Sequence, residues 1–272
     1  MKLDLLEAKK YQDEEDIKEG KQILKWIAAV RQNCSEFLNR EPSLIYRGIR
    51  DDSVVFGRKR VRKNRQPSDM DANIAIAIND AFEDVFGYRL RQESIFASRY
   101  YSVATGYGTI DTAIFIPNKY HIVTSKSVND LYNEIDYIVL ISRTEAIKLI
   151  KKYCTKKEID DAGLWALIEE IQSHEREQLL YIDNKNLRDM TIKLYDKRLR
   201  EYLYKNYDFE SNTTEEKNEL MIISDNYYYI RANVGFNLNS EKSIKAKFNS
   251  TSPKKYLDQL EKLIVNGEYF IY

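Results

Sequence analysis

Residues 219–230, with the sequence ELMIISDNYYYI, contain two short apolar runs on either side of a polar triplet. The runs Leu220 to Ile223 and Tyr227 to Ile230 have the β-branched and aromatic composition of strands, and Ser224-Asp225-Asn226 is typical of a turn. The pattern therefore predicts two strands that form a hairpin. Because a strand fixes the direction of a polar side chain at its edge, Glu219 becomes a candidate functional residue.

Two earlier segments each carry one polar residue at the edge of a predicted strand. Residues 43–48, SLIYRG, predict a strand that carries Arg47, and residues 94–98, SIFAS, predict a strand that ends at Ser98. Gly48 has no side chain, so a ligand or a neighbouring segment can approach its backbone closely. A base, a hydroxyl and an acid thus follow one another along the chain on three predicted strands.

The rest of the chain alternates helical patterns with short β-rich runs. Ile23, Ile27, Val30, Cys34 and Phe37 recur at a spacing of three and four, which predicts one helix from Glu14 to Arg40. We expect further elements as follows: a helix capped by Ser68 or Asp69 and ended by Gly87, strands at 113–116, 120–124 and 137–141, helices from 143 to about 207, a helix from Pro253, and a strand at 269–272.

These elements predict an α+β protein that forms a single elaborated domain of 272 residues. The N-terminal helix and the first part of the sheet would occupy residues 1–142. A helical insertion would follow at 143–210. The remaining strands and a C-terminal helix would complete the domain at 211–272.

The overall composition points to no particular partner, because 43 acidic residues balance 43 basic ones. Cys34 and Cys154 are far apart, which favours free thiols in a reducing compartment. No apolar run approaches the roughly 18 residues of a membrane span, and the charged N-terminus lacks the apolar core of a signal peptide. We therefore expect a cytoplasmic protein with no membrane contact, and a composition rich in Lys, Ile and Asn suggests a bacterial or phage genome.

The sequence lacks the motifs of several common catalytic sites. His121, His174 and the two cysteines form no cluster with metal-ligand spacing, so we expect no metal site of this kind, although carboxylates could still bind a divalent ion. The chain has no Gly-x-x-x-x-Gly-Lys loop for nucleotide phosphates, and a serine or cysteine triad would lack an obvious base. The catalytic options narrow to carboxylates combined with arginines.

One stretch concentrates positive charge. Residues 58–65, RKRVRKNR, carry six positive charges in eight residues, and we expect a loop there. Such a segment can neutralise several phosphates, and nearby tyrosines can stack on bases. The candidate nucleic-acid-binding residues are Arg58, Lys59, Arg60, Arg62, Lys63 and Arg65.

Three of these segments together resemble a known family. Tyr46-Arg47-Gly48, Phe96-Ala97-Ser98 and the run that begins at Glu219 are similar to the arginine, serine and glutamate strands of mono-ADP-ribosyltransferases. The resemblance covers roughly residues 43–125 and 215–232. It implies a split, mostly antiparallel sheet and NAD as the cofactor.

The resemblance also implies roles for individual residues. Glu219 would stabilise positive charge that develops on the ribose, and Ser98 would brace Arg47 or Glu219 by hydrogen bonding. Arg47 would orient the dinucleotide through its planar guanidinium. The residues expected closest to the nicotinamide are Gly48, Tyr100, Tyr101 and Tyr107.

The acceptor would be a protein or a nucleic-acid-associated molecule. Lys217 stands two residues before Glu219, where arginine-modifying members of the family carry a glutamate, which argues against arginine as the acceptor. The alternative is a non-catalytic nucleic-acid-binding or phage/host interaction protein that retains a transferase-like fold.

Overall fold

A computed structural model of the chain describes residues 14–49, 55–65, 72–104, 108, 110–125, 131, 134, 141–154, 161–172, 178–209, 219–231 and 251–266. The chain is an α+β protein, as predicted. Its helices are α1 (Glu14–Asn33), α2 (Ser35–Arg40), α3 (Ala72–Phe86), α4 (Leu90–Glu93), α5 (Tyr101–Ala104), α6 (Arg143–Tyr153), α7 (Asp161–Ile171), α8 (Lys185–Asn206) and α9 (Pro253–Asn266), with a 3-10 turn at Gln178–Tyr181. Its strands are β1 (Ile45–Ile49), β2 (Phe56–Arg60), β3 (Ile95–Ala97), β4 (Ile110–Phe115), β5 (His121–Ser125), β6 (Tyr207–Phe209), β7 (Leu220–Ile223) and β8 (Asn226–Arg231).

The chain divides into two compact units, each built from separate segments. The first unit contains residues 1–61, 95–124 and 210–272. The second contains residues 62–94 and 125–209. The predicted helical insertion lies in the second unit, and α3 lies there with it. The prediction of one elaborated domain stays a prediction.

The first unit contains an antiparallel sheet with the strand order β1-β4-β8-β2. In its register Ile45 lies opposite Ile114, Arg47 opposite Thr112, and Thr112 opposite Arg231. β2 closes one side of the sheet by pairing with β8 from Phe56 to Arg60. Long apolar and aromatic runs in β1, β4 and β8 explain why these strands are buried, since each packs a side chain on either face.

A second antiparallel arrangement in the same unit places β7 between β3 and β5. β7 and β8 are consecutive in the chain, yet they belong to different sheets, so the predicted hairpin is wrong. The physical reason is that β7 bonds β3 and β5 along its two edges, while β8 bonds β4 and β2. Neither strand has an edge left for the other, and the turn between them links the two sheets.

Helices from both ends of the described chain cover the first sheet. The Nε1–H of Trp26 in α1 donates to the Gly57 carbonyl at 3.1 Å, and its ring meets Phe115 edge to face at 5.5 Å. Arg31 bonds Asp258 and Glu261 of α9 at 2.8 Å each, which ties α1 to α9. The buried face of α9 consists of Tyr256, Leu257, Leu260 and Ile264.

The N-terminal helical stripe is buried as predicted, but the helix is interrupted. α1 ends at Asn33 and α2 begins at Ser35, with Cys34 between them. The Cys34 N–H still donates to the Val30 carbonyl at 2.8 Å, so the two helices stay nearly continuous. Ile23, Ile27 and Phe37 are fully buried.

The second unit is mainly helical, which confirms the prediction for residues 143–206. α3 carries the predicted apolar stripe and ends at Gly87, whose φ of 77° is the left-handed conformation that favours glycine after a helix. Phe82 of α3 meets Tyr207 edge to face at 5.3 Å, where β6 ends the helical region. The strands predicted at 137–140 and 269–272 and the caps at Ser68 and Asp69 lie outside the described residues.

Candidate functional site

β1 and β3 meet through a two-bond bridge between Tyr46 and Ser98. The Tyr46 N–H donates to the Ser98 carbonyl at 2.7 Å, and the Ser98 N–H donates to the Tyr46 carbonyl at 2.9 Å. The bridge fixes the arginine strand against the serine strand at one point. Arg47 is the next residue along β1, so its backbone lies beside the end of β3.

The acid strand joins the same junction from the other side. Ile95 pairs with Ile222 and Ala97 with Leu220, so the register continued by one residue sets Ser98 opposite Glu219. Glu219 directly precedes β7 and is half-buried. The structure therefore places the backbones of Arg47, Ser98 and Glu219 near one another in the first unit, with Arg47 in the middle of β1 and the other two beside the ends of β3 and β7. Because Arg47 follows Tyr46, its side chain starts from the opposite face of β1 to that of Tyr46, the residue that is bridged to Ser98.

The Arg47 guanidinium lies between the two sheets. Its Nη1–H donates to the Phe96 carbonyl at 3.0 Å, and its Cζ lies 5.6 Å from the centre of the Tyr227 ring. Burial raises the pKa of Tyr227, and the neighbouring Arg47 charge partly opposes that rise. Among the residues that the structure describes, this half-buried guanidinium has no carboxylate partner. A partly buried arginine usually has one, because burial of an unpaired charge is costly.

The Ser98 side chain has a clear structural contact. It is fully buried, and its Oγ accepts the backbone N–H of Tyr100 at 3.0 Å, which stabilises the turn into α5. A serine hydroxyl can accept a second hydrogen bond and donate one of its own. Ser98 is thus held in place by the turn with its own O–H still a donor.

The Gly48 backbone is approached by another glycine. A Cβ built on Gly108 would lie 2.6 Å from the Gly48 carbonyl carbon and 2.6 Å from the Ile49 nitrogen. No side chain fits at position 108. The sequence predicts that a ligand or a neighbouring segment approaches Gly48 closely. On this side of Gly48, the neighbour is Gly108 of the same chain.

The tyrosines predicted beside the cofactor have different positions. The Tyr101 ring meets Tyr46 edge to face at 5.6 Å and packs against the core. Tyr100 is half-buried and follows the Ser98 turn. Tyr107 lies outside the described residues.

A buried charged cluster adjoins Ser98, and no sequence pattern indicates it. Arg99 Nη2 bonds Glu41 at 2.7 Å, and both side chains are under 10% exposed, at 9% and 4%. The Tyr120 hydroxyl donates to the other Glu41 oxygen at 3.0 Å, and Arg99 also donates to Ser43. Burial is the main cause that raises the Tyr120 pKa above its usual range. The sequence spacing of 58 residues between Glu41 and Arg99 carries no local pattern that could reveal this pair.

Only the second half of the basic stretch is the loop that the sequence predicts. Arg58, Lys59 and Arg60 lie on β2, paired with Tyr228, Tyr227 and Asn226 of β8. The Arg58 guanidinium lies 5.5 Å from the Tyr228 ring centre, and the Lys59 ammonium lies 5.2 Å from that of Tyr229. Cation–π contacts and ladder hydrogen bonds thus hold charged residues in a strand, and charge is also common on strands at sheet edges.

The other three residues of the basic stretch follow β2. Arg62, Lys63 and Arg65 belong to the second unit and have no regular secondary structure. Arg62 and Lys63 are exposed, and Arg65 is half-buried. The basic stretch therefore crosses the boundary between the units.

The structure describes both cysteines of the chain. Both cysteines are free, and burial raises the pKa of Cys34 to about 12, so its thiol stays protonated. The described part of the chain contains no group of three or more His, Cys, Asp or Glu side chains that could hold a metal ion. None of the described helices is both long and apolar enough to cross a membrane.

Comparison of the chain with protein-family models, with curated proteins and with solved structures gives no match. The junction of the three strands is therefore the feature that bears on function. It combines a half-buried guanidinium on β1, a buried hydroxyl after β3 and a carboxylate before β7, with a pair of glycines that keeps the adjoining backbone close.

Proposed function

We propose that this protein is an NAD-dependent mono-ADP-ribosyltransferase. The nearness of the three backbones is the observation that supports the proposal, because Ala97 and Leu220, the neighbours of Ser98 and Glu219, are paired and Arg47 follows the residue bridged to Ser98. The three residues are separated by up to 172 positions in sequence, yet they belong to one unit. Their types and their order are those that resemble the family.

NAD supplies the transferable ADP-ribosyl group when its nicotinamide–ribose bond breaks. Positive charge develops on the ribose as that bond weakens, as it does in glycoside hydrolysis. A carboxylate fixed at the edge of a strand lowers the energy of that charge without having to reorganise. Glu219 is the acid available at the junction for this task.

Arg47 and Ser98 fit the binding of an anionic dinucleotide. The guanidinium bonds the Phe96 carbonyl and lies against Tyr227, which fixes its plane and leaves other N–H donors for phosphate. Ser98 would donate its hydroxyl proton to Glu219 or to a ribose oxygen. Because Tyr100 fixes the serine turn, this donor would keep one orientation.

The acceptor in this proposal is a protein or a nucleic-acid-associated molecule. Arginine-modifying members of the family carry a glutamate two residues before the catalytic one. Lys217 occupies that position in this chain, and it lies outside the described residues. A cytoplasmic location, in the bacterial host if the gene is carried by a phage, belongs to the same proposal.

The substitution Glu219→Gln tests the proposal most directly. Glutamine keeps the shape of the side chain but removes the negative charge, so nicotinamide release from NAD should fall about a hundredfold or more. NAD affinity measured by calorimetry should change little, because the carboxylate acts mainly on the charge that develops during reaction.

The control for Glu219→Gln is the unfolding midpoint, which should match that of the unchanged protein. Undiminished nicotinamide release from a folded Glu219→Gln protein would remove Glu219 from the reaction. A wild-type protein that neither binds NAD nor releases nicotinamide would end the proposed function altogether.

A second candidate function is nucleic-acid binding without catalysis. The observation that favours it is the row of charges on β2, where Arg58 and Arg60 are exposed and Lys59 is half-buried. Alternate residues of a strand share a face, so the Arg58 and Arg60 side chains start from one side of β2, with their Cα atoms about 7 Å apart. Such a row suits a phosphate backbone, with which binding weakens steeply as salt rises.

A salt titration with a single-stranded oligonucleotide of about 20 nucleotides tests this second function. Replacing Arg58, Lys59 and Arg60 by Gln should lower the slope of log affinity against log salt by roughly two. The matched control replaces Lys254, Lys255 and Lys262 of α9, three exposed lysines, by Gln. Equal losses in both triple variants would mean that only net charge matters and that β2 is not a binding strand.

A further inference from the structure

Arg47, Thr112 and Arg231 lie side by side on three neighbouring strands of the first sheet. Arg47 pairs with Thr112, and Thr112 pairs with Arg231 on its other side. Residues directly opposite one another in antiparallel strands project from the same face of the sheet. The two arginine side chains and the threonine side chain therefore leave the sheet in a single row across β1, β4 and β8.

The spacing of this row suits two guanidiniums that converge on one ligand. Adjacent strands are about 4.8 Å apart, so the two arginine backbones are separated by roughly 10 Å. The residue between them is small, and its hydroxyl donates to the Arg47 carbonyl at 2.8 Å, so Thr112 stays close to the sheet. Thr112 is also fully buried, at 1% exposure, whereas both arginines are half-buried.

The charge of the row also points to an anion. Among the described residues Arg47 has a carbonyl and an aromatic ring as partners but no carboxylate. Its positive charge is thus only partly compensated in a site that is partly removed from water. Arg231 starts a second guanidinium from the same face of the sheet.

We propose that Arg231 is a second anion-binding residue, which acts with Arg47 on a diphosphate. Two guanidiniums can each offer a planar pair of N–H donors, one to each phosphate of a diphosphate group. The identity of that diphosphate as part of NAD rests on the proposed function. The row itself does not, because inorganic pyrophosphate or ADP-ribose offers the same chemistry.

The experiment measures the binding of inorganic pyrophosphate and of ADP-ribose by calorimetry, together with nicotinamide release from NAD. Arg231→Gln should weaken the binding of both probes by about tenfold to a hundredfold, as expected for a lost pair of charge-assisted hydrogen bonds. For NAD the change should raise KM and leave kcat nearly unaltered, since the diphosphate is remote from the bond that breaks.

Two further variants complete the design. Lys255→Gln removes one positive charge from an exposed position on α9 and should leave both affinities within about twofold of wild type. Arg231→Lys retains the positive charge and is the variant less expected to disturb folding. It should still weaken the binding of both probes, because an ammonium lacks the planar pair of donors. The Arg231 N–H that donates to the Val55 carbonyl is backbone and persists in every variant.

The outcomes separate the two proposals. If wild type releases nicotinamide and both Arg231 variants bind the probes as well as wild type, the anion role of Arg231 is overturned while the proposed function stands. If wild type binds pyrophosphate through Arg231 but releases no nicotinamide, the anion site stands and the proposed function fails. Failure of wild type to bind either probe overturns the anion site.

Discussion

Arg47 illustrates what a single residue does in this protein beyond its proposed role. Its bond to the Phe96 carbonyl and its contact with Tyr227 connect a residue of β3 with a residue of β8. The guanidinium therefore stabilises the approach of the two sheets before any ligand is considered. Loss of Arg47 would change both stability and binding, so Arg231, whose variants are matched by Lys255→Gln, gives the cleaner test of anion binding.

Gly108 provides a prediction at the scale of one residue. Alanine at this position would place a Cβ 2.6 Å from two backbone atoms of β1, and backbone cannot move away as a flexible side chain can. We expect Gly108→Ala to lower the free energy of unfolding by about 1–3 kcal/mol, the usual cost of overpacking. Urea unfolding followed by circular dichroism measures the change.

Gly57 is the matched comparison for Gly108. A Cβ at Gly57 would meet only the side chain of Tyr229, at 3.0 to 3.1 Å. Because a ring can shift by a few tenths of an ångström, Gly57→Ala should cost less than Gly108→Ala. The reverse order of the two costs would contradict the close contact between Gly108 and β1.

At the scale of elements, the start of α6 combines a capping box with an ion pair from another helix. Ser142 caps the helix and exchanges hydrogen bonds with Glu145, and Glu145 also bonds Arg198 of α8. The Ser142 hydroxyl and the Arg198 guanidinium hold the pKa of Glu145 at about 2, below its usual value of 4.5. A carboxylate with a lowered pKa stabilises the folded state above its unfolded pKa, and this contribution is lost as the pH falls through the folded value.

This arrangement predicts a specific acid response. The stability difference between wild type and Glu145→Gln should be constant above about pH 5.5 and should shrink as the pH falls from 4.5 towards 2. The Glu145 side chain is 39% exposed, so we expect only about 1 kcal/mol at its maximum. Thermal unfolding across this pH range measures the difference.

Glu201→Gln is the control for the acid response. Glu201 forms an ion pair with Lys197 in which both side chains are about two-thirds exposed, at 64% and 65%. Water screens such a pair, so its loss should change stability little at any pH. A pH-independent cost for Glu145→Gln would instead assign its effect to helix capping alone.

β2 is a strand although its composition predicts a loop. A run of arginine and lysine has a low intrinsic tendency to form a strand, and by itself it predicts a solvated loop. Here β8 offers a row of tyrosines, and Arg58 and Lys59 lie against two of those rings. Cross-strand contacts supply the stabilisation that the composition of the strand lacks.

At the scale of the whole molecule, the order of the chain and the order of the strands are unrelated. The chain leaves the first unit after residue 61, returns at 95, leaves again after 124 and returns at 210. The two neighbours of β4 in its sheet are β1 and β8, one early and one late in the sequence. The backbones of Arg47, Ser98 and Glu219 are neighbours only because strands from all three segments of the first unit pair there.

The sequence by itself determined the local elements. The helical stripes of α1, α3 and α9 and the strands β1, β3, β5, β7 and β8 follow from apolar periodicity, and the stop of α3 follows from a glycine that accepts positive φ. It also determined which polar residues stand at the strand ends, since these are properties of a few neighbouring residues.

Only the tertiary structure decided which strands pair. It assigned β7 and β8 to different sheets, made a strand of residues 56–60, joined Glu41 to Arg99, and aligned Arg47, Thr112 and Arg231 in one row. Each of these pairings depends on hydrogen bonds and packing between segments far apart in the chain. A local pattern cannot encode them, because the free energy of a strand edge or of a buried charge depends on the partner that meets it.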